Sequence, residues 1–76
     1  MKKVEIYTSD TCMQCKKTKE YFQDNNIEFI EYNISSNQEY KHQLIKKGYL
    51  SVPVIMIDNQ DILGFDLKRI KQLVKE

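Results

Sequence analysis

The chain predicts an α/β fold, a small sheet with a terminal hairpin that is flanked by helices. Segments with the periodicity of strands and helices follow one another in the order β-α-β-α-β-β-α, which is typical of such a protein. The 76 residues contain no repeat, low-complexity stretch or linker. We therefore expect residues 1–76 to form a single domain.

The first two elements are a strand and a helix. Apolar and polar side chains alternate over residues 4–8, as in a half-buried strand. A capping box follows, in which Thr11 is the N-cap and Gln14 occupies N3, so that Cys12 takes the first helical position. Apolar residues keep helical spacing until the turn formers Asp-Asn-Asn at 24–26, where we expect the helix to end.

A second strand, a second helix and a third strand come next. Branched and aromatic residues predict a strand over 27–34. Ser36 and Glu39 form another capping box, and Gly48 is a natural C′ residue for the helix that they begin. The apolar run 52–57 is typical of a buried strand.

The last segment predicts a hairpin and a third helix. Residues 58–60 are turn formers, and 62–63 return as a brief fourth strand. Asp66 can cap the last helix. The side chains expected to face the core from that helix are Leu67, Ile70, Leu73 and Val74.

Composition and charge restrict the class of protein. Hydrophobic residues at 41% and charged residues at 30% are ordinary globular values and exclude a disordered chain. Twelve basic and eleven acidic residues give a net charge of +1, which leaves no field to hold a nucleic-acid backbone. No apolar run has the length of a signal-peptide core or a membrane span. We therefore expect a soluble, cytoplasmic monomer without nucleic-acid or membrane partners.

The two cysteines carry the chemistry. Cys12 and Cys15 lie one turn apart at the start of the first predicted helix. The free N–H groups and the dipole of a helix N-terminus favour a thiolate at Cys12, and Cys15 can reach it to close a disulfide. This spacing predicts that Cys12 attacks a substrate disulfide and Cys15 resolves the mixed disulfide. No tightly bound cofactor is then needed.

Three other interpretations of the cysteines are weaker. A zinc site needs about four ligands, and His42 is the one histidine available. A purely structural bridge would close too short a loop to constrain the unfolded chain. Two inert buried thiols remain possible in principle, but packing explains a helix-start pair poorly.

Lys16 lies four residues after Cys12, on the same helical face. It either supports the thiolate or recruits an acidic partner surface, or else it belongs to a solvated lysine face and pairs with Glu20. We hold both interpretations open for Lys16. For Lys17 we favour the solvated face.

Two further motifs lie on loops. Pro53 interrupts a buried strand and must mark its entry or a special turn, where a cis bond would fit. In Gly64-Phe65-Asp66, the glycine either serves the turn, with Phe65 in the core and Asp66 as cap, or exposes backbone N–H groups to a substrate carboxylate.

Together these residues resemble the glutaredoxin branch of the thioredoxin-like fold. The match covers Tyr7 to Lys19, Ser51-Val52-Pro53 and Gly64-Phe65-Asp66. It implies a four-stranded mixed sheet of order 2-1-3-4 flanked by three helices, with Pro53 cis. It also implies that the backbone of Val52 pairs with the incoming disulfide substrate.

Within that family, Cys12-Met13-Gln14-Cys15-Lys16 and Gly64-Phe65 are similar to the NrdH-type redoxins. That resemblance implies recycling by thioredoxin reductase and a disulfide client such as ribonucleotide reductase. Glutathione-dependent glutaredoxins have a lysine where Ser9 stands and a glycine where Phe65 stands. A glutathione-dependent enzyme is the first alternative, and a metal or iron–sulfur carrier is the second. The residues assigned to substrate binding are Thr11, Met13, Gln14, Lys16, Val52, Pro53, Gly64, Phe65 and Asp66.

Overall fold

The computed structural model describes residues 3–75. Within them, four strands and three helices follow one another in the predicted order. The elements are β1 (Val4–Thr8), α1 (Met13–Asp24), β2 (Ile30–Asn33), α2 (Gln38–Lys46), β3 (Val54–Ile57), β4 (Gln60–Leu63) and α3 (Leu67–Lys75). The sheet order is β2-β1-β3-β4, with β1 parallel to β2 and antiparallel to β3, and β4 antiparallel to β3. The α/β class and the 2-1-3-4 order are confirmed.

Side-chain alternation along the strands divides the core between two faces of the sheet. On one face, Phe22 of α1 and Ile70 of α3 pack in one cluster with Ile6 and Ile55. On the other face, Leu44 of α2 packs with three strand residues: Tyr7, Val54 and Met56. Two helices therefore cover one face and a single helix covers the other.

The second strand is shorter than predicted. The expected strand covered 27–34, whereas β2 pairs with β1 only from Ile30 to Asn33. The N–H of Ile27 instead donates to the carbonyl of Phe22 at 2.8 Å and closes the end of α1. Residues 27–29 therefore carry the chain from the helix to the sheet edge.

The third strand begins at Val54 rather than residue 52, because Pro53 has no N–H to donate to the ladder. The fourth strand is longer than expected and begins at Gln60. Asp58 and Asn59 both have positive φ, 49° and 69°, and form the two-residue turn of a tight hairpin.

The predicted cap of α2 is wrong by one residue. The Oγ of Ser36 donates to the carbonyl of Asn33 at 3.1 Å, so Ser36 completes a turn after β2. Asn37 caps the helix instead, and its Oδ1 accepts the N–H of Glu39 at 2.9 Å. No helix among residues 3–75 is both long and apolar enough to cross a membrane.

Candidate active site

The sheet brings three loops to one of its ends. β3 begins where β1 ends, because Tyr7 pairs with Val54, and β4 ends beside them, because Val54 pairs with Leu63. The loop between β1 and α1, the loop before β3 and the turn before α3 therefore meet at this end. These loops carry the residues that the sequence assigns to the site.

The start of α1 lies one residue later than predicted. The backbone of Cys12 is extended, with φ −94° and ψ 107°, and its N–H donates to the carbonyl of Ser9 at 3.4 Å. Cys12, not Thr11, is therefore the N-cap, and its Sγ accepts the N–H of Cys15 at 3.0 Å. Thr11 is exposed in the loop before it. The capping-box prediction is wrong because the sulfur of Cys12 takes the place expected for the threonine hydroxyl.

The two cysteines form a disulfide, with their Cα atoms 5.2 Å apart. They differ sharply in exposure, since Cys15 is 1% exposed whereas Cys12 is half-buried. A substrate that approaches from solvent reaches the sulfur of Cys12 first. In the reduced protein, the N–H at the start of α1 and the helix dipole would favour negative charge on that sulfur.

The loop before β3 and the turn before α3 are directly bonded. The Val52–Pro53 peptide is cis, Pro53 is buried and Val52 is half-buried. The N–H of Gly64 donates to the carbonyl of Pro53 at 2.8 Å. A Cβ on Gly64 would lie 3.7 Å from Oε1 of Gln14, so the turn also adjoins the first turn of α1. The structure therefore brings Gln14, Pro53 and Gly64 together.

Three other predicted site residues have different surroundings. Met13 is 69% exposed and adjoins Cys12 in the chain. Phe65 is partly buried against the core. The carboxylate of Asp66 accepts the N–H of Arg69 at 3.2 Å and caps α3, as the structural interpretation of this turn predicted. Its cap role ties Asp66 to the helix.

An open cleft of about 440 Å³ adjoins the cysteines, and we name it the β2-side cleft. Its lining residues are Ser9, Asp10, Thr11, Cys12, Met13, Cys15, Lys16, Lys19 and Asn33. The sequence did not assign Ser9, Asp10, Lys19 or Asn33 to substrate binding. Asn33 had no local signal, because its contact with Asp10 spans 23 positions in the chain.

Asn33 holds the loop that carries Cys12. Its Nδ2 donates to Oδ1 of Asp10 at 2.9 Å, and its Oδ1 accepts the N–H of Ser35 at 2.8 Å. The N–H of Asp10 in turn donates to Oγ of Ser35 at 3.1 Å. The end of β2 therefore fixes the loop before the N-cap through side chains of a single asparagine and serine.

A second polar cluster joins β1, β2 and α1, and it includes Lys19 of the cleft lining. The fully buried Thr8 donates its hydroxyl to Oε2 of Glu31 at 2.6 Å, and Nζ of Lys19 lies 2.9 Å from the same oxygen. Burial alone would raise the pKa of Glu31, but the hydrogen bonds from Thr8 and Lys19 and the charge of Lys19 outweigh it, so the pKa is lowered. This cluster ties α1 to the first two strands.

Metal ligands do not gather in the described chain. Residues 3–75 hold no group of three or more His, Cys, Asp or Glu side chains that could bind a metal ion. His42 is exposed on α2, whereas both cysteines lie at the start of α1.

A family model, curated relatives and solved structures all match this chain, and they agree on one family. The glutaredoxin family model matches residues 4–62. A glutaredoxin-like 8.6 kDa protein of the rubredoxin operon of Clostridium pasteurianum is 36% identical over 74 residues, 96% of this chain and 99% of that protein. The glutaredoxin-like protein NrdH of Lactococcus lactis is 36% identical over 62 residues, 82% of this chain and 86% of the relative. The solved NrdH-redoxin of Escherichia coli, a glutaredoxin-like protein with a thioredoxin-like activity profile, superposes with a TM-score of 0.83 at 27% identity, covering 93% of each chain.

Proposed function

Because the chain belongs to the glutaredoxin family and is a thiol–disulfide oxidoreductase, we propose that it reduces protein disulfides through a Cys12/Cys15 dithiol cycle. The Cys12 thiolate attacks one sulfur of a client disulfide, forms a mixed disulfide and releases one client thiolate. The Cys15 thiolate then attacks Sγ of Cys12 and releases the second client thiolate. Two electrons reach the client, which takes up two protons, and the Cys12–Cys15 disulfide is left.

The observation that carries this proposal is the unequal exposure of two sulfurs at one helix start. Only the half-buried Cys12 can meet a client sulfur from solvent, because Cys15 is 1% exposed. Cys15 is nevertheless within bonding reach of Cys12, as their disulfide demonstrates. An exposed attacking sulfur and a sheltered resolving sulfur are what the two steps require.

We further propose that thioredoxin reductase, rather than glutathione, returns the two electrons. Ser9 stands where glutathione-binding relatives have a lysine, so an anionic tripeptide lacks that cationic partner here. Phe65 also replaces a glycine of the turn that glutathione-binding relatives carry. Two of the similar proteins are NrdH-type, which supports a client such as ribonucleotide reductase.

The same proposal places the protein in the cytoplasm as a monomer without a tightly bound cofactor. Thioredoxin reductase and reduced clients belong to a reducing compartment, where a two-cysteine protein without structural disulfides is expected. The net charge of +1 suits a carrier that binds several proteins briefly, since it gives no strong field of either sign.

A paired NADPH-oxidation assay tests the electron source. One arm supplies thioredoxin reductase, and the other supplies glutathione with glutathione reductase, each with insulin as disulfide client. We expect turnover in the first arm that depends on this protein and little in the second. Turnover confined to the glutathione arm would assign the protein to the glutathione-dependent enzymes and leave the dithiol chemistry intact.

A further inference from the structure

The β2-side cleft and the proline loop lie on opposite sides of Cys12. Asn33 at the end of β2 lines the cleft, whereas Pro53 and Gly64 belong to the loops of β3 and β4. In the sheet, β1 separates β2 from β3 and β4. A client segment bonded to Cys12 would therefore have one flank at the proline loop and the other at the cleft.

The two lysines that line the cleft differ in whether their charge is already paired. Lys19 is neutralised by Glu31, 2.9 Å away. The side chain of Lys16 is exposed, and its ammonium has no hydrogen-bond or ion-pair partner among residues 3–75. The first turn of α1 contains no acidic residue, so its N-terminal dipole is also unopposed. Asp10 is the one carboxylate that lines the cleft, and it is held by a hydrogen bond from Asn33.

We propose that the β2-side cleft is a subsite for an acidic side chain that flanks the reactive cysteine of the client, with Lys16 as its charged partner. The inference rests on the proposed function, because it needs a mixed disulfide at Cys12 to bring the client segment to the cleft. An Asp or Glu that enters the cleft meets the free ammonium of Lys16 and the N-terminal end of α1. A lysine in the same place would meet that ammonium as a like charge.

Lys17 provides a matched control for Lys16. It is exposed on the same helix and carries the same charge, but it does not line the cleft. Lys16→Gln and Lys17→Gln therefore change the net charge equally. The probes are three synthetic cystine peptides that differ only in the residues beside the cysteine, which are Glu, Gln or Lys. Stopped-flow reduction of each peptide by the pre-reduced protein gives a second-order rate constant without any reductase.

The decisive quantity is the ratio of the rate constants for the Glu and Gln peptides, since changes in Cys12 reactivity cancel in it. We expect a ratio of about two to five in the wild type, the size of one solvent-exposed ion pair. The ratio should fall toward one in Lys16→Gln and at high salt, and should persist in Lys17→Gln. Lys16→Glu should favour the Lys peptide.

A wild-type ratio of one, or an equal loss of the ratio in Lys16→Gln and Lys17→Gln, would overturn the subsite. In either case reduction of the Gln peptide would leave the dithiol function standing. If the wild type reduced none of the three peptides, the proposed function itself would fail, and the subsite with it.

Discussion

At the scale of single residues, Cys12 combines two tasks that are usually separate. Helix N-caps are commonly Ser, Thr, Asp or Asn, whose oxygen accepts a backbone N–H. Here the sulfur of Cys12 accepts that bond from Cys15 at 3.0 Å. The donor that caps α1 therefore also faces the reacting sulfur, and the start of the helix cannot move without moving the nucleophile.

Glu31 gives the residue-scale prediction about pH. Its pKa is lowered from the ordinary value of 4.5 in the folded protein, so below that value the unfolded chain binds a proton that the folded chain does not. The stability that Glu31 contributes is complete above about pH 5 and is lost as the pH falls through the lowered pKa. Glu31→Gln should lower the free energy of unfolding by about 1 kcal/mol at pH 7 and flatten its decline between about pH 5 and pH 3.

Glu28→Gln is the matched control for this experiment. Glu28 is exposed near the start of the same strand, and its carboxylate has no hydrogen bond or ion pair within residues 3–75. Its variant should follow the wild-type pH profile in urea unfolding. Identical profiles for Glu31→Gln and Glu28→Gln would show that the Thr8–Glu31–Lys19 cluster does not stabilise the fold.

At the scale of elements, α1 and α2 end in the same way. After α1, Asn26 has φ 54° and its N–H donates to the carbonyl of Gln23 at 3.2 Å, while Ile27 donates to Phe22 at 2.8 Å. After α2, Gly48 has φ 96° and donates to Ile45, while Tyr49 donates to Leu44. Both are Schellman motifs, and each places an apolar residue back onto the core.

The two left-handed positions predict effects of opposite sign. A Cβ on Gly48 would meet no atom within 4 Å, so Gly48→Ala measures only the cost of left-handed backbone, about 1 kcal/mol of lost stability. Asn26→Gly removes a side chain from the same conformation and should stabilise by a few tenths of a kcal/mol. Urea unfolding measures both variants. An unchanged free energy of unfolding in Gly48→Ala would contradict the account of these helix ends.

Helix ends that carry a local signal were predictable from the sequence, whereas strand lengths were less so. Gly48 and Asp66 mark helix ends through their own chemistry, and the structure confirms both. Strand lengths depend on partners that are distant in the chain. β2 is half as long as its β-propensity suggests, because only Ile30–Asn33 lies beside β1.

At the scale of the whole molecule, the sequence could predict the chemistry but not all of its surroundings. The spacing of Cys12 and Cys15 is local, Pro53 and Gly64 are marked by their own loop chemistry, and the resemblance linked them to the cysteines, which the sheet brings to the same end. The β2-side cleft depends on Asn33, whose contact with Asp10 exists only because β1 and β2 pair in parallel. No short-range pattern could reveal it.

The most direct test of the account is to trap the mixed disulfide. Reduced wild type, Cys12→Ser and Cys15→Ser are each mixed with a cystine peptide, and intact mass with peptide mapping identifies any adduct. We expect Cys15→Ser to accumulate a mixed disulfide at Cys12, because the resolving thiol is absent, and wild type to pass to its internal disulfide. Cys12→Ser should form no adduct and reduce no client, since Cys15 is 1% exposed. An adduct at Cys15 in Cys12→Ser, with none in Cys15→Ser, would contradict the assignment of Cys12 as the attacking sulfur.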